Sequence, residues 1–314
     1  MRLFAYQAQS GRALGVSLDG ISYRAVAELA PELPRETEAL LGTPDALSRL
    51  AGLLAEAPGG APMADLDLLP FLERPNALWA LALNFKTHIQ ETGLTTSLDH
   101  PHLFLRTIAS YVGADQPILA PPEKVARAFD YEGELGVVIG KPGRHIPPEL
   151  ALDHVAGYTC INEGSVREYQ MHNRQFGLGK NFEASGSYGP WLMTPDEFGD
   201  VPRSSVVTRV NGVVRQRSGL DDLLIDVATT VAYLSQGYLL RPGDMIAMGT
   251  PGALPPAKDD AEGRDLSRQF GPFPTPGLVH MRPGDVVEVE IAGLGVLRNP
   301  IVADEPARYR AGWG

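Results

Sequence analysis

Glycine and proline punctuate this chain from end to end, 34 and 27 of them in 314 residues. They are scattered rather than periodic. That excludes a collagen-like repeat or a low-complexity linker and leaves many turns joining short strands. The apolar runs are correspondingly short. RLFAYQ, ALGVSL and ISYRAV open the chain, separated by Ser-Gly and Asp-Gly turns, and ALWALAL, DYEGELGVVIGK and VAGYTCIN come after them as further strands. Asn211-Gly212, between the β-branched runs VVTRV and VVRQR, suits a type I′ hairpin turn. Two RPGD turns lead into MIAMG and DVVEVEIAGLGVLRNPI. Helical spacing is confined to residues 45–57, with Asp45 as a candidate cap, and to 222–240, the strongest helix pattern in the chain. With no strand–helix–strand rhythm, the expected fold class is mainly β (α+β) with few helices. A boundary near Leu72 separates a small N-terminal domain, 1–71, from a larger one, 72–314.

Lys and Arg number 27 against 38 Asp and Glu, a formal net charge of −11. Such a chain lacks the basic footprint of a nucleic-acid binder or of a protein held on an anionic membrane. Cys160 is the only cysteine, so neither an intrachain disulfide nor a Cys-built zinc site is available. The opening residues show no secretory pattern, and no uncharged apolar run is long enough to span a bilayer. A cytoplasmic location is the expectation. No GxGxxG, P-loop or GxSxG motif points to a nucleotide or serine-hydrolase site.

The residues that suggest chemistry are acidic. Glu132 and Glu134, two apart on a strand, face the same side. Spacing alone favours an edge strand with both in solvent. Gly133 between them and the unbroken apolar run after them argue for burial, where a carboxylate pair needs a cation, a proton or a basic partner. Glu163, at the end of the next apolar strand, supplies a third carboxylate, the number an all-oxygen divalent site uses. His88 and Glu91 share a face if residues 86–92 are helical, and a carboxylate beside an imidazole makes a general base; the plainer reading is a surface pair. The other six histidines show no metal spacing and read as surface or core residues. The polar, Pro-rich stretch 253–278 reads as a long loop bordering the pocket.

NFKTHIQETG, DYEGELGVVIGK, GYTCINEGSVREYQ, GLGKNFEASGSYGPWLMT, RPGDMIAMGTPG and GDVVEVEIAGLGVLRNP occur in this order. Together they resemble the successive motifs of the fumarylacetoacetate hydrolase family, over roughly residues 76–302. The resemblance implies a mixed β-sandwich roll with peripheral helices, and a homodimer. It places the family's metal ligands on Glu132, Glu134 and Glu163, for Mg²⁺ or Mn²⁺. It places the catalytic dyad on His88 and Glu91, the family lysine on Lys180, and substrate-binding positions on Arg167, Gln170 and Thr250. Three departures stand out. Glu163 replaces the usual Asp, Phe85 a frequent Tyr, and Arg106 a frequent Lys. The implied activity is hydrolysis of a carbon–carbon bond in a 2,4-diketo acid of the acylpyruvate or fumarylpyruvate type, with a small 2-keto acid as the binding partner. The alternatives on the same metal-enolate chemistry are isomerisation of a hydroxymuconate-like diacid and decarboxylation of a 2-keto diacid. A keto-acid-binding metal module without turnover is the non-enzymatic alternative.

Overall fold

Asn211 and Gly212 both take positive φ, 52° and 78°. The strands on either side, Ser205–Val210 and Val213–Gly219, pair antiparallel with Val210 opposite Val213. This two-residue turn forms as its sequence requires. The computed structural model describes residues 1–57, 59–92, 99–254 and 279–305. Val286–Ile291 pairs with the hairpin on its other side. Gly295–Ala303 comes next and Ile118–Ala120 adds in parallel, completing a five-stranded sheet.

The larger sheet has twelve strands. At its centre Gly186–Met193, Val155–Asn162 and Gly133–Ile139 run antiparallel to one another. Met245–Ala247 is next, then Leu78–Ala82 in parallel, with His102–Arg106 at the edge. The strand Gly133–Ile139 is buried along its whole length. Leu135, Val137 and Ile139 pack with Val206, Val289 and Leu297 of the five-stranded sheet. Val138 faces the other way, into a core shared with Leu3, Leu78 and Leu192. Covering on both faces explains why this strand shows no polar alternation. The architecture is the expected mixed β-sandwich, with helices at the periphery.

The two RPGD segments are the same turn used once in each sheet. In each, the Asp carboxylate accepts the N–H of its own Arg at 2.8 Å (Asp244 from Arg241, Asp285 from Arg282), and Gly243 and Gly284 take positive φ. The aspartate closes the turn and releases the chain into a strand.

Residues 1–71 join the rest through the larger sheet. Arg2 and Leu3 pair with Met193 and Leu192, and Leu50 and Leu54 of the helix Ala46–Glu56 lie in the same core as Tyr188. Asp45 precedes that helix but does not cap it. Its backbone is left-handed (φ 58°) and its side chain accepts no cap hydrogen bond. The second predicted helix is shorter than its pattern, Val227–Gly237, and begins at Asp226, whose carboxylate accepts the Thr229 N–H at 2.7 Å. Leu223 and Ile225 lie outside it because they are bound instead to Phe85 and Asn84. No described helix is long and apolar enough to cross a membrane.

Candidate metal centre

Gly133 sets the side on which the two carboxylates lie. A Cβ at this position would stand 2.0 Å from Thr208 Oγ1, so glycine lets the five-stranded sheet close on this face, and strand alternation turns Glu132 and Glu134 to the opposite one. Both carboxylates are buried, 5% and 1% exposed, which excludes the solvent-facing edge-strand reading. Glu163 comes just after the strand Val155–Asn162, where its N–H donates to the Glu132 carbonyl at 2.8 Å, and it is 1% exposed. One oxygen from each of the three lies within 4.8 Å of the others.

Three cations surround them. Lys180 Nζ is 2.5 Å from Glu132 Oε2 and 2.8 Å from Glu163 Oε2. Its place is fixed by Gly179, where a Cβ would stand 2.1 Å from the Gln170 backbone nitrogen. Arg167 donates to Asp130 Oδ2 through Nε (2.9 Å) and Nη2 (2.6 Å), and through Nη1 to Gln170 Oε1, with Glu132 Oε1 also at 2.7 Å. Arg106 stacks on Tyr111, donates to the Gly164 carbonyl, Ser110 and Ser185, and stands 3.7 Å from Glu163 Oε1.

Burial raises the Glu132 carboxyl, but Lys180 and Arg167 outweigh it and hold this group well below the usual carboxylate range. Glu134 has no ion pair of its own. Burial and then the charges of Glu163 and Glu132 push it well above that range, outweighing the Lys180 charge and an N–H from Gly249 at 2.7 Å. Among the described residues, four buried carboxyls (Asp130, Glu132, Glu134, Glu163) therefore meet three permanent cations. Glu163 Oε1 accepts no hydrogen bond. A hard divalent ion fits this donor set. The ligands are all carboxylate, the cluster is one positive charge short once Glu134 is ionised, and one buried oxygen lacks a donor.

Thr250 donates to the Gly133 carbonyl at 3.1 Å and accepts from Gln216 Nε2 at 2.8 Å. Gln216 Oε1 in turn accepts the Gly133 N–H at 3.0 Å, so one side chain ties the strand Val213–Gly219 to the carboxylate strand and to the Gly-Thr-Pro turn. The helix Lys86–Thr92 is docked from both sides. Asn84, fully buried, donates to the Ile225 and Met248 carbonyls, and the Thr87 N–H and hydroxyl both donate to Asp222 Oδ2. That docking brings His88 within electrostatic reach of Glu132. Glu91 lies in the same helix; its side chain, like most of the 253–278 loop, is outside the described residues. The described start of that loop runs beside the site, with Ala253 bridged to Gln216.

The structure thus gathers Glu132, Glu134, Glu163, Lys180, Arg167, Gln170 and Thr250, with His88 adjacent. Arg167, expected at the substrate, is paired with Asp130 and Glu132. Sequence reasoning missed Asp130 and Gln216, and had no role for Arg106. Asp130 stands in the DYEGELGVVIGK motif two residues before Glu132, the only cue available; the others act across long sequence separations.

Residues 77–302 match the family described as fumarylacetoacetate (FAA) hydrolase C-terminal. The chain is similar to a rat protein named oxaloacetate tautomerase Fahd2a, mitochondrial, at 33% identity over 242 residues, which cover 77% of this chain and 71% of that protein. Among solved structures it resembles a fumarylacetoacetate hydrolase from Exiguobacterium antarcticum (29% identity, TM-score 0.77). It also resembles a 5-carboxymethyl-2-hydroxymuconate delta-isomerase from Mycobacterium smegmatis (27%, 0.71). Each alignment covers 97% of this chain and 100% of the other.

Proposed function

This chain belongs to the fumarylacetoacetate hydrolase family, and from that premise we propose that it is a divalent-metal-dependent hydrolase that cleaves a carbon–carbon bond in a 2,4-diketo acid, releasing pyruvate and a carboxylic acid. The observation that carries the reading is the docking of the His88 helix beside a buried, cation-deficient carboxylate triad. Glu132, Glu134 and Glu163 would hold Mg²⁺ or Mn²⁺. Bound there, the ion would supply Lewis-acid stabilisation for the negative charge that grows on the 2-keto oxygen as the bond breaks. His88 takes a proton from water, and the resulting hydroxide attacks the distal carbonyl. Collapse of the tetrahedral adduct breaks the bond between C3 and C4. The electron pair passes to the pyruvate fragment, which is then protonated at C3. Lys180 brings positive charge to the oxygen on which that fragment's charge accumulates. Glu91, three residues after His88, orients the imidazole. Gln170 and Thr250 line the place for the substrate head. A homodimer belongs to the same proposal and is checked by light scattering.

The test is turnover of an acylpyruvate with Mg²⁺ or Mn²⁺, read as pyruvate released. His88→Ala should lose on the order of 10²–10⁴-fold in kcat, the usual worth of a positioned base, with metal affinity nearly unchanged. A second reading, enol–keto conversion without bond cleavage, is favoured by the similarity to the rat oxaloacetate tautomerase. Rapid tautomerisation of oxaloacetate with no pyruvate from any acylpyruvate would replace the first reading by the second. Binding of keto acids with no turnover of either kind would leave a binding module.

A further inference from the structure

Lys180 Nζ stands between Glu132 and Glu163, 2.5 and 2.8 Å from their oxygens, and so bonds two of the three carboxylates that an ion held by the triad would use. An ammonium held on these carboxylates opposes a divalent ion bound to the same groups, because their repulsion in a buried site is several kcal/mol (roughly, by Coulomb's law at the effective dielectric of protein). The other two cations have further anchors. Arg167 also meets Glu132 Oε1 but is held by Asp130 and Gln170, and Arg106 is held by Gly164, Ser110 and Ser185. Lys180 makes its hydrogen bonds to the carboxylates alone, on a flexible four-carbon stem rooted at the tightly packed Gly179. The Phe104 ring, with its centroid 5.2 Å from Nζ, offers a face where a displaced ammonium keeps a favourable contact.

We propose that Lys180 is the built-in counter-cation of this centre. It neutralises Glu132 and Glu163 before a metal enters and gives up that place when the metal arrives. Loading the ion then frees the lysine for the substrate, so that metal occupancy arms the catalytic cation. This inference rests on reading the carboxylate triad as a metal site.

Wild type and Lys180→Met are each stripped with chelator, melted, and titrated with Mn²⁺ by calorimetry. The expected result has two parts. The variant unfolds at a lower temperature than wild type in chelator, because two buried carboxylates lose their partner. It also binds Mn²⁺ more tightly, by about tenfold or more, since no like charge has to be moved or tolerated. A variant that folds only when Mn²⁺ is present is the extreme form of the same result. Unchanged or weaker Mn²⁺ affinity overturns the proposal, as does wild-type stability in chelator. Failure to fold even with Mn²⁺ also overturns it, since the metal should then stand in for the lysine. Absence of Mn²⁺ binding by wild type would instead sink the metal site itself.

Discussion

Glu132 and Glu134 share one side of one strand segment and meet opposite fields. Lys180 and Arg167 keep the first ionised against the cost of burial, while burial and two neighbouring carboxylates keep a proton on the second. The unfolded chain gives that proton up near pH 4.5. Above that pH, and up to the raised folded value, the folded state binds more protons than the unfolded one, so stability falls as pH rises. Glu132 acts in the reverse sense and in a lower window. Its stabilisation is full above about pH 4.5 and is lost as pH falls through its depressed folded value. Melts in chelator from pH 5 to 8 should therefore show a declining Tm that flattens with saturating Mn²⁺, because a bound cation favours ionised Glu134. The same decline in Glu134→Gln would clear Glu134 as its source. At this scale much was legible in advance. The i, i+2 carboxylates and Glu163 could be picked out because strand spacing and charge type are local properties. Gln216 could not, since its value lies in reaching Gly133, 83 positions away.

Among elements, the strand Gly133–Ile139 is buried along its whole length, and its first residue leaves no room for a side chain. Gly133→Ala should cost about 1–3 kcal/mol of stability, the usual penalty for forcing a group into a filled core. It should also weaken Mn²⁺ binding, because relief of the clash moves the neighbours of the carboxylates. Chemical denaturation and calorimetry read the two effects separately, and wild-type values in both would mean that the two sheets part more easily than the packing indicates. Element type was readable wherever turn chemistry decided it, at Asn211-Gly212 and at both RPGD segments. It failed at residues 223–226. There the apolar spacing of a helix is used by Leu223 and Ile225 to hold the segment before His88, a tertiary demand that periodicity does not carry.

At the scale of the molecule, the two sheets enclose a core that residues 1–71 share. The strand Arg2–Ala8 covers one edge of Gly186–Met193, and Leu3, Leu50 and Leu54 sit in one cluster with Tyr188 and Leu192. A chain cut to residues 72–314 should lose that cover and be insoluble or open to proteolysis. A soluble product with a single cooperative melt and wild-type Mn²⁺ affinity would refute this. The sandwich itself was anticipated from the ordered motifs. The attachment of the first 71 residues was not, because sheet pairing leaves no mark in a strand's own composition.

The contact between Gly133 and Thr208 also restricts the routes by which this sequence can change. Thr208 Oγ1 is buried without a hydrogen-bond partner, so Thr208→Ala removes nothing the hydroxyl was holding, whereas any side chain at 133 meets that oxygen first and Val289 only at 3.3 Å. The two positions are thus open to substitution in one order. Alanine at 208 can come first and be tolerated, alanine at 133 can then enter the space left behind, and the reverse path runs through a poorly folded intermediate. A lineage that drifts at 208 gains a second option at 133, and one that keeps threonine stays locked to glycine between its two carboxylates.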